Sequence, residues 1–292
     1  MTKTEAKKIV REIGDKNNVT EEEKFLLTEA LGFLIRETQD PRYMMHLGGI
    51  YYEDREFDLA LKYYEMAAAQ GYEGADECLG YIWYYGRTGV KDYQKAFEHY
   101  SRAAERGNLV AKYKVADMYK NGYYVEKDYD KYCEIIESLY PLVCDAQYLN
   151  EPLPEVYLRL AAIRREQGRI DEAINLLFDA KEFLIERLID NPFFGDISNM
   201  EWVMREIRNV ALIDKFSFDL YDLFYLLEKP RKIRFSYKDA VYEVESAEED
   251  GRIAVRFGEK WYRSIKDFFL NAEIGGKKLV TMPYDLYDFE VV

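Results

Sequence analysis

A chain of 292 residues with 48% hydrophobic side chains holds enough apolar material for a sizeable core, and its length suggests two domains or one elongated array. The formal charge of −14 repels phosphate backbones, and no lysine or arginine cluster offsets it locally, so direct nucleic-acid binding is not expected. No segment approaches the roughly 18 uninterrupted apolar residues of a membrane span, and the start lacks the apolar stretch of a signal peptide. Cys78, Cys133 and Cys144 form no CxxC pair, so free thiols in a reducing, cytoplasmic setting are expected, without membrane insertion.

In chain order, residues 1–40 read as two helices that cap one end, the second opened by Thr20 with Glu23 three positions on, a capping-box spacing. An internal repeat then begins. YYEMAAAQG at 63–71 returns as HYSRAAERG at 99–107, which places Ala60 with Ala96, Tyr64 with Tyr100, Ala67 with Ala103 and Gly71 with Gly107. A second pattern precedes each block: Leu47, Gly48 and Tyr51; Leu79, Gly80 and Trp83; Val115, Ala116 and Tyr119. Each unit is therefore a helix pair in which small residues let the backbones approach and large residues fill the space beside them. Gly86 and Gly122 stand where a left-handed residue ends the first helix, and Asp92 and Asp128 stand where a carboxylate caps the second. Such pairs bury their apolar faces by stacking into a solenoid.

These residues resemble the Sel-one-like (Sel1-like) repeat family, relatives of the tetratricopeptide repeat with a longer loop between the helices. LGYIWYYGRTGVKDYQKAFEHYSRAAERG at 79–107 unites the family's LG pair, aromatics, G-x-x-G-V-x-D loop and alanine pair. Residues 43–71 shorten the loop to EDREFD, and residues 108–144 replace the second-helix alanines with Tyr132, Leu139 and Tyr140, which leaves room for a change of curvature. The repeats are assigned to residues 41–149. After NEPLPE, VYLRLAAIRREQGRIDEAINLLFDA at 156–180 reads as a tetratricopeptide-like hairpin with Leu160, Ala161, Gly168 and Ala173 in place. Amphipathic segments at 199–213 and 217–228 are expected to close the helical part, giving a region 150–229 that ends at Lys229 and Pro230.

From Arg231 the hydrophobic period changes to alternation, with Ile233, Phe235 and Tyr237 on one face. Runs around Tyr242 and Val244 and around Ile253, Val255 and Phe257 flank AEEDG, whose Asp250 and Gly251 favour a tight hairpin turn. Ser264 with Asp267 starts a short helix carrying Phe268, Phe269 and Leu270, Gly275 and Gly276 turn the chain into KKLVTM, and YDLYDFEVV reads as an edge strand or a tail. Residues 230–292 carry 11 basic and 12 acidic side chains, so the acidity belongs to the helical part. The fold class is mainly α: an α-α superhelix, a solenoid of stacked helix pairs, followed by a small C-terminal α+β domain.

No phosphate-cradling, zincin, nucleophile-elbow or dinucleotide motif occurs, and GRTGV at 86–90 is read as an interhelical loop. His46 and His99 fall within repeat helices, and Cys78 occupies a small core position before the LG pair, so no catalytic, cofactor or metal residue is assigned and an enzyme is not expected. In tetratricopeptide register the inward positions of the first helices are Met45, Tyr52, Glu77, Tyr81, Tyr84, Tyr85, Tyr113, Asp117 and Lys120. The resemblance implies a scaffold or adaptor holding a protein or peptide, here in a tyrosine-lined, acidic groove suited to a basic or amphipathic segment. Self-association stays open. Alternatives are an acidic decoy occupying a nucleic-acid site on another protein, and a carboxylate-dependent hydrolase in the C-terminal module, which would need a deep polar pocket.

Overall fold

A computed structural model describes residues 1–14, 16, 19–144, 153–210, 219–249 and 251–292. Contacts divide the chain into two compact units, Met1–Ile135 and Ile136–Val292. Parts of the segments expected at 108–149, 150–155, 199–213 and 217–228, and the turn residue Asp250, lie outside the described residues.

The first unit is a succession of antiparallel helices: α1 Lys3–Ile13, α2 Glu21–Thr38, α3 Pro41–Glu53, α4 Phe57–Ala68, α5 Ala75–Tyr85, α6 Tyr93–Glu105, α7 Leu109–Asn121 and α8 Tyr129–Val143, the last crossing the division. Capping boxes open α1 at Thr2 and Glu5 and α2 at Thr20 and Glu23, so exposed amides of each first turn are satisfied by the chain itself. Gly86 and Gly122 end α5 and α7 at φ of 65° and 70°, a region that costs other residues a side-chain clash. Asp92 accepts from the Lys95 amide and Asp128 from the Lys131 amide, starting α6 and α8.

The repeat period becomes packing at the helix crossings. Ala60, Tyr64 and Ala67 of α4 and Ala96, Tyr100 and Ala103 of α6 are all buried. Each tyrosine lies across the backbone of the preceding helix. A Cβ at Gly48 would sit 2.6 Å from the Tyr64 ring, and one at Gly80 would sit 2.6 Å from the Tyr100 ring. Only glycine leaves room for such a crossing, which explains the small residue beside Leu47 and Leu79.

The second unit begins with α9 Pro154–Glu166, α10 Ile170–Asp190 and α11 Phe194–Val210. The hairpin residues behave as their period requires: Leu160, Ala161 and Ala173 are buried, and Gly168 turns the chain at φ 75°. The closing segments differ from expectation. The first starts earlier, at Phe194, and the second is a 3-10 turn Leu220–Asp222 followed by the single-turn α12 Leu223–Leu226.

Strands follow as β1 Arg231–Tyr237, β2 Ala240–Glu249, β3 Arg252–Phe257 and β4 Lys260–Tyr262, then α13 Ile265–Asn271, a small hairpin of β5 Glu273–Ile274 and β6 Lys277–Lys278, and β7 Tyr287–Val291. The antiparallel sheet has the order β4-β3-β2-β1-β7, so YDFEV is an edge strand. Ser264 caps α13 by accepting from the Asp267 amide, as its spacing predicts. On the inner face Phe235 stacks with Tyr242, Phe257 and Phe289. The outer face is a lattice of ion pairs: Glu290 with Arg234, Arg234 with Glu243, and Glu245 with Arg256.

The period change at Pro230 does mark where strands begin, yet the sheet shares a core with the helices before it. Phe269 of α13 stacks on Phe224 at 4.0 Å and on Tyr221 at 6.0 Å, and the Tyr221 hydroxyl donates to the Val280 carbonyl at 3.5 Å. Lys266 pairs with Glu201 of α11 at 2.8 Å, and Tyr284 donates to Glu182 of α10 at 3.0 Å.

Candidate partner-binding site

The candidate positions fall in the first unit on the first helices α3, α5 and α7, and the structure sorts them into two groups. One group forms a half-exposed tyrosine patch. Tyr52 of α3 meets Phe57 edge-on at 5.3 Å and Tyr81 at 6.0 Å, and Tyr81 meets Tyr85 one turn along α5 at 4.4 Å. Arg87, in the loop after α5, lays its guanidinium 5.4–6.0 Å from the rings of Tyr52, Phe57, Tyr81 and Tyr85 and donates to the Tyr81 hydroxyl at 3.2 Å. The negative ring faces favour a cation there and fix its position. Burial, with Tyr81 close by, pushes the Tyr52 phenol up to about 12, so it stays a neutral donor at physiological pH.

Lys114 of α7 is buried and donates to the Tyr85 hydroxyl at 3.0 Å, with the rings of Tyr84, Tyr85 and Tyr113 within 5.2–5.6 Å of its ammonium. Tyr85 is thus shared by two cations. Among the described residues neither Arg87 nor Lys114 has a carboxylate partner, whereas Lys24, Arg42, Arg102 and Arg106 are all ion-paired. The aromatic centre of the candidate groove therefore holds two cations that bond neutral phenols.

The second group serves the core or its edges. Met45 packs into the apolar clusters between α3, α4 and α5. Tyr84 is ringed by Tyr85 at 4.9 Å, Tyr93 at 5.7 Å, Tyr123 at 5.9 Å and Tyr100 at 6.3 Å, so it fills the joint between α5 and α6. Tyr113 is buried, Lys120 lies 4.8 Å from the Tyr132 ring, and Glu77 accepts from the Asn108 amide group at 2.6 Å, tying α5 to the start of α7. Asp117 is half-buried, and its carbonyl accepts from Asn121.

Sequence reading missed Arg87, which it treated as part of a loop, and a clamp on the other side of α5. Asp76 is 3% exposed and binds two side chains of α6 and the residue that ends it: His99 Nδ1 at 2.8 Å from Oδ1, Arg102 Nη2 at 3.0 Å from Oδ1 and the capping Arg106 Nη1 at 3.0 Å from Oδ2. Burial alone would raise its pKa, but the bonds from His99 and Arg102 and the charge of Arg102 outweigh this and hold it below the usual carboxylate range. His99 Nδ1 also lies 2.7 Å from Arg102 Nη2, so with its proton it donates to Asp76 and without it accepts from Arg102. Burial pushes the Cys78 thiol up to about 12, which leaves it protonated and a poor nucleophile.

On the C-terminal sheet an open depression of about 890 Å³ is lined in part by Lys232, Tyr242, Glu243, Glu245, Arg256 and Lys260. Two of its four carboxylates are held in ion pairs: Arg234 holds Glu243 below its usual range, and Glu245 pairs with Arg256, while Glu259 and Glu273 also line the depression. Among the described residues no helix is long and apolar enough to cross a membrane, and no group of His, Cys, Asp and Glu is arranged to hold a metal ion.

The stacked helix pairs with glycine crossings define a helical-repeat protein. The Sel1 repeat family model matches residues 44–72, 79–108 and 109–131, so this part of the chain carries three Sel1-like repeats. A crystal structure of a Sel1 repeat protein from Oxalobacter formigenes is similar at 20% identity and TM-score 0.52, covering 73% of this chain and 78% of that one, a likeness of fold. A protective antigen of uropathogenic Escherichia coli with an SLR fold aligns at 17% identity and TM-score 0.33, over 76% of this chain and 58% of that one. No curated protein matches the chain.

Proposed function

We propose that this protein is a non-catalytic scaffold or adaptor that holds a segment of another protein against the first helices of its repeats, centred on Tyr52, Tyr81, Tyr85 and Arg87. Sel1-like and tetratricopeptide-like arrays generally mediate protein–protein interaction, which supports the class of function. The observation that carries the site is the exposed Arg87 held over four aromatic rings, a preorganised surface of the residue types that dominate binding hot spots. Tyrosine rings contribute large contact area while their hydroxyls remain available for hydrogen bonds, so the patch suits an amphipathic segment.

Comparative affinity capture tests this reading, with the full chain set against Tyr52→Ala combined with Tyr81→Ala. A protein held by the full chain and lost from a folded double variant is the expected result. Identical captures would contradict it. Tyr84, which fills the joint between helices, is unsuitable for this test because its removal would disturb packing as well as binding.

A further inference from the structure

We infer that the segment held at the tyrosine patch is acidic at its contact point: an Asp or Glu side chain flanked by apolar residues, received by Arg87 with the buried Lys114 behind it. This rests on the patch being the binding site and adds the chemistry of the occupant.

Three observations converge on an anion. Arg87 is exposed, its guanidinium bonds only neutral phenols, Tyr81 at 3.2 Å and Tyr52, and it faces no carboxylate ion-pair partner among the described residues. A guanidinium presents donors in a planar fork that matches a carboxylate edge to edge, and the rings beneath it hold that plane in place before a partner arrives. Lys114 places a second positive charge 5.2 Å from the Tyr85 ring, buried and donating to that hydroxyl at 3.0 Å, with no carboxylate ion-pair partner among the described residues. A buried ammonium without a carboxylate is costly, and a nearby anion would offset part of that cost.

The surroundings decide what kind of anion fits. The chain as a whole carries −14, so a polyanion such as a nucleic acid is repelled at long range, whereas a single carboxylate on a short segment meets a local positive site. The half-buried rings of Tyr52, Phe57 and Tyr81 beside Arg87 provide apolar area on either side of the charge. An acidic residue between apolar neighbours matches both features. This reverses the basic segment expected from overall charge, because the net charge of the chain does not describe this patch.

Selection from a phage-displayed pool of random dodecapeptides on the immobilised full chain provides the test, run in parallel on Arg87→Glu, Arg87→Lys and Tyr81→Ala. The expected result is enrichment of peptides carrying Asp or Glu between apolar residues. Synthetic copies should bind the Arg87→Glu variant at least about tenfold more weakly, and Arg87→Lys should fall between because it keeps charge and loses the fork. Peptides that depend on Tyr81 but show no acidic preference, or whose acidic preference survives Arg87→Glu, would overturn this inference and leave the patch assignment standing. Peptides indifferent to Tyr81→Ala, or no enrichment at all, would overturn both.

Discussion

The crossing of α5 with α6 and the seating of α13 on the helices before the sheet are two solutions to the same packing problem. In the first, a glycine backbone accepts a tyrosine ring from the next helix, and the arrangement occurs twice, Gly48 under Tyr64 and Gly80 under Tyr100. In the second, Phe269 stacks on Phe224 and Tyr221 across more than forty residues of chain, and no such arrangement recurs among the described residues. Recurring local contacts leave a period that can be read. A single long-range contact leaves only hydrophobic residues whose partners are unstated.

The comparison can be broken at the aromatic stack first. Phe269 is fully buried, so Phe269→Ala should cost about 3–5 kcal/mol in denaturant unfolding of the full chain. Ending the chain after residue 229 should expose Leu220, Tyr221 and Phe224 and leave an aggregation-prone product, whereas a soluble, cooperatively unfolding fragment would show that the sheet is a separate domain.

The glycine crossing is the next largest effect. Gly48→Ala puts a Cβ 2.6 Å from the Tyr64 ring and should destabilise by about 2–3 kcal/mol, against the helix propensity of alanine. Asp76→Asn leaves two arginines and His99 facing a neutral group. Because the arginines are partly exposed, the cost should be about 2 kcal/mol, below that of breaking a fully buried pair. The depressed pKa of Asp76 means that its stabilisation is present above the unfolded carboxylate pKa and is lost as pH falls through the lower folded value.

Asp222 behaves oppositely. Burial, with Asp219 beside it, pushes its pKa up to about 6. Its contribution to stability is therefore fully present below the unfolded pKa and is lost as pH rises through about 6. Asp222→Asn should remove this dependence and raise stability at pH above 6 by about 1–2 kcal/mol, read as a flattened curve of unfolding free energy between pH 4 and pH 7. The smallest effect sharpens the glycine argument. Gly49 adjoins Gly48, yet a Cβ there would meet only the Tyr64 hydroxyl at 4.0 Å, so Gly49→Ala should stabilise by about 0.5–1 kcal/mol. Equal effects at the two positions would refute the crossing as the reason for glycine.

Much of the first unit was legible because each feature lies within a turn or two of its partner. Thr20 with Glu23, Asp92 with Lys95 and the caps at Gly86 and Gly122 are local chemistry, and the alternation of Ile233, Phe235 and Tyr237 is local geometry. The geometry of the candidate site was half legible. Helical register placed Tyr52, Tyr81 and Tyr85 on one patch, but register cannot distinguish a ring that faces outward from one that turns into a joint, as Tyr84 does. Arg87 was hidden by a loop motif that accounted for its neighbours. The Asp76 clamp did leave a signal: counted back from Leu79 as Met44 is from Leu47, an acid stands where the earlier unit buries a methionine, and Arg102 in the last turn of α6 is followed four residues on by Arg106 at its C-cap. A charge at a core position calls for opposite charges nearby.

The most direct test of the scaffold account is site-specific photocrosslinking in cells of the native host, with a benzophenone amino acid placed in the full chain at Tyr81 and, separately, at Tyr284, which is exposed on the sheet-bearing unit. The account predicts a discrete partner band at Tyr81 that disappears when Arg87→Glu is added, and none at Tyr284. A partner that crosslinks at Tyr284 and not at Tyr81 would contradict it and move the binding site to the sheet-bearing unit.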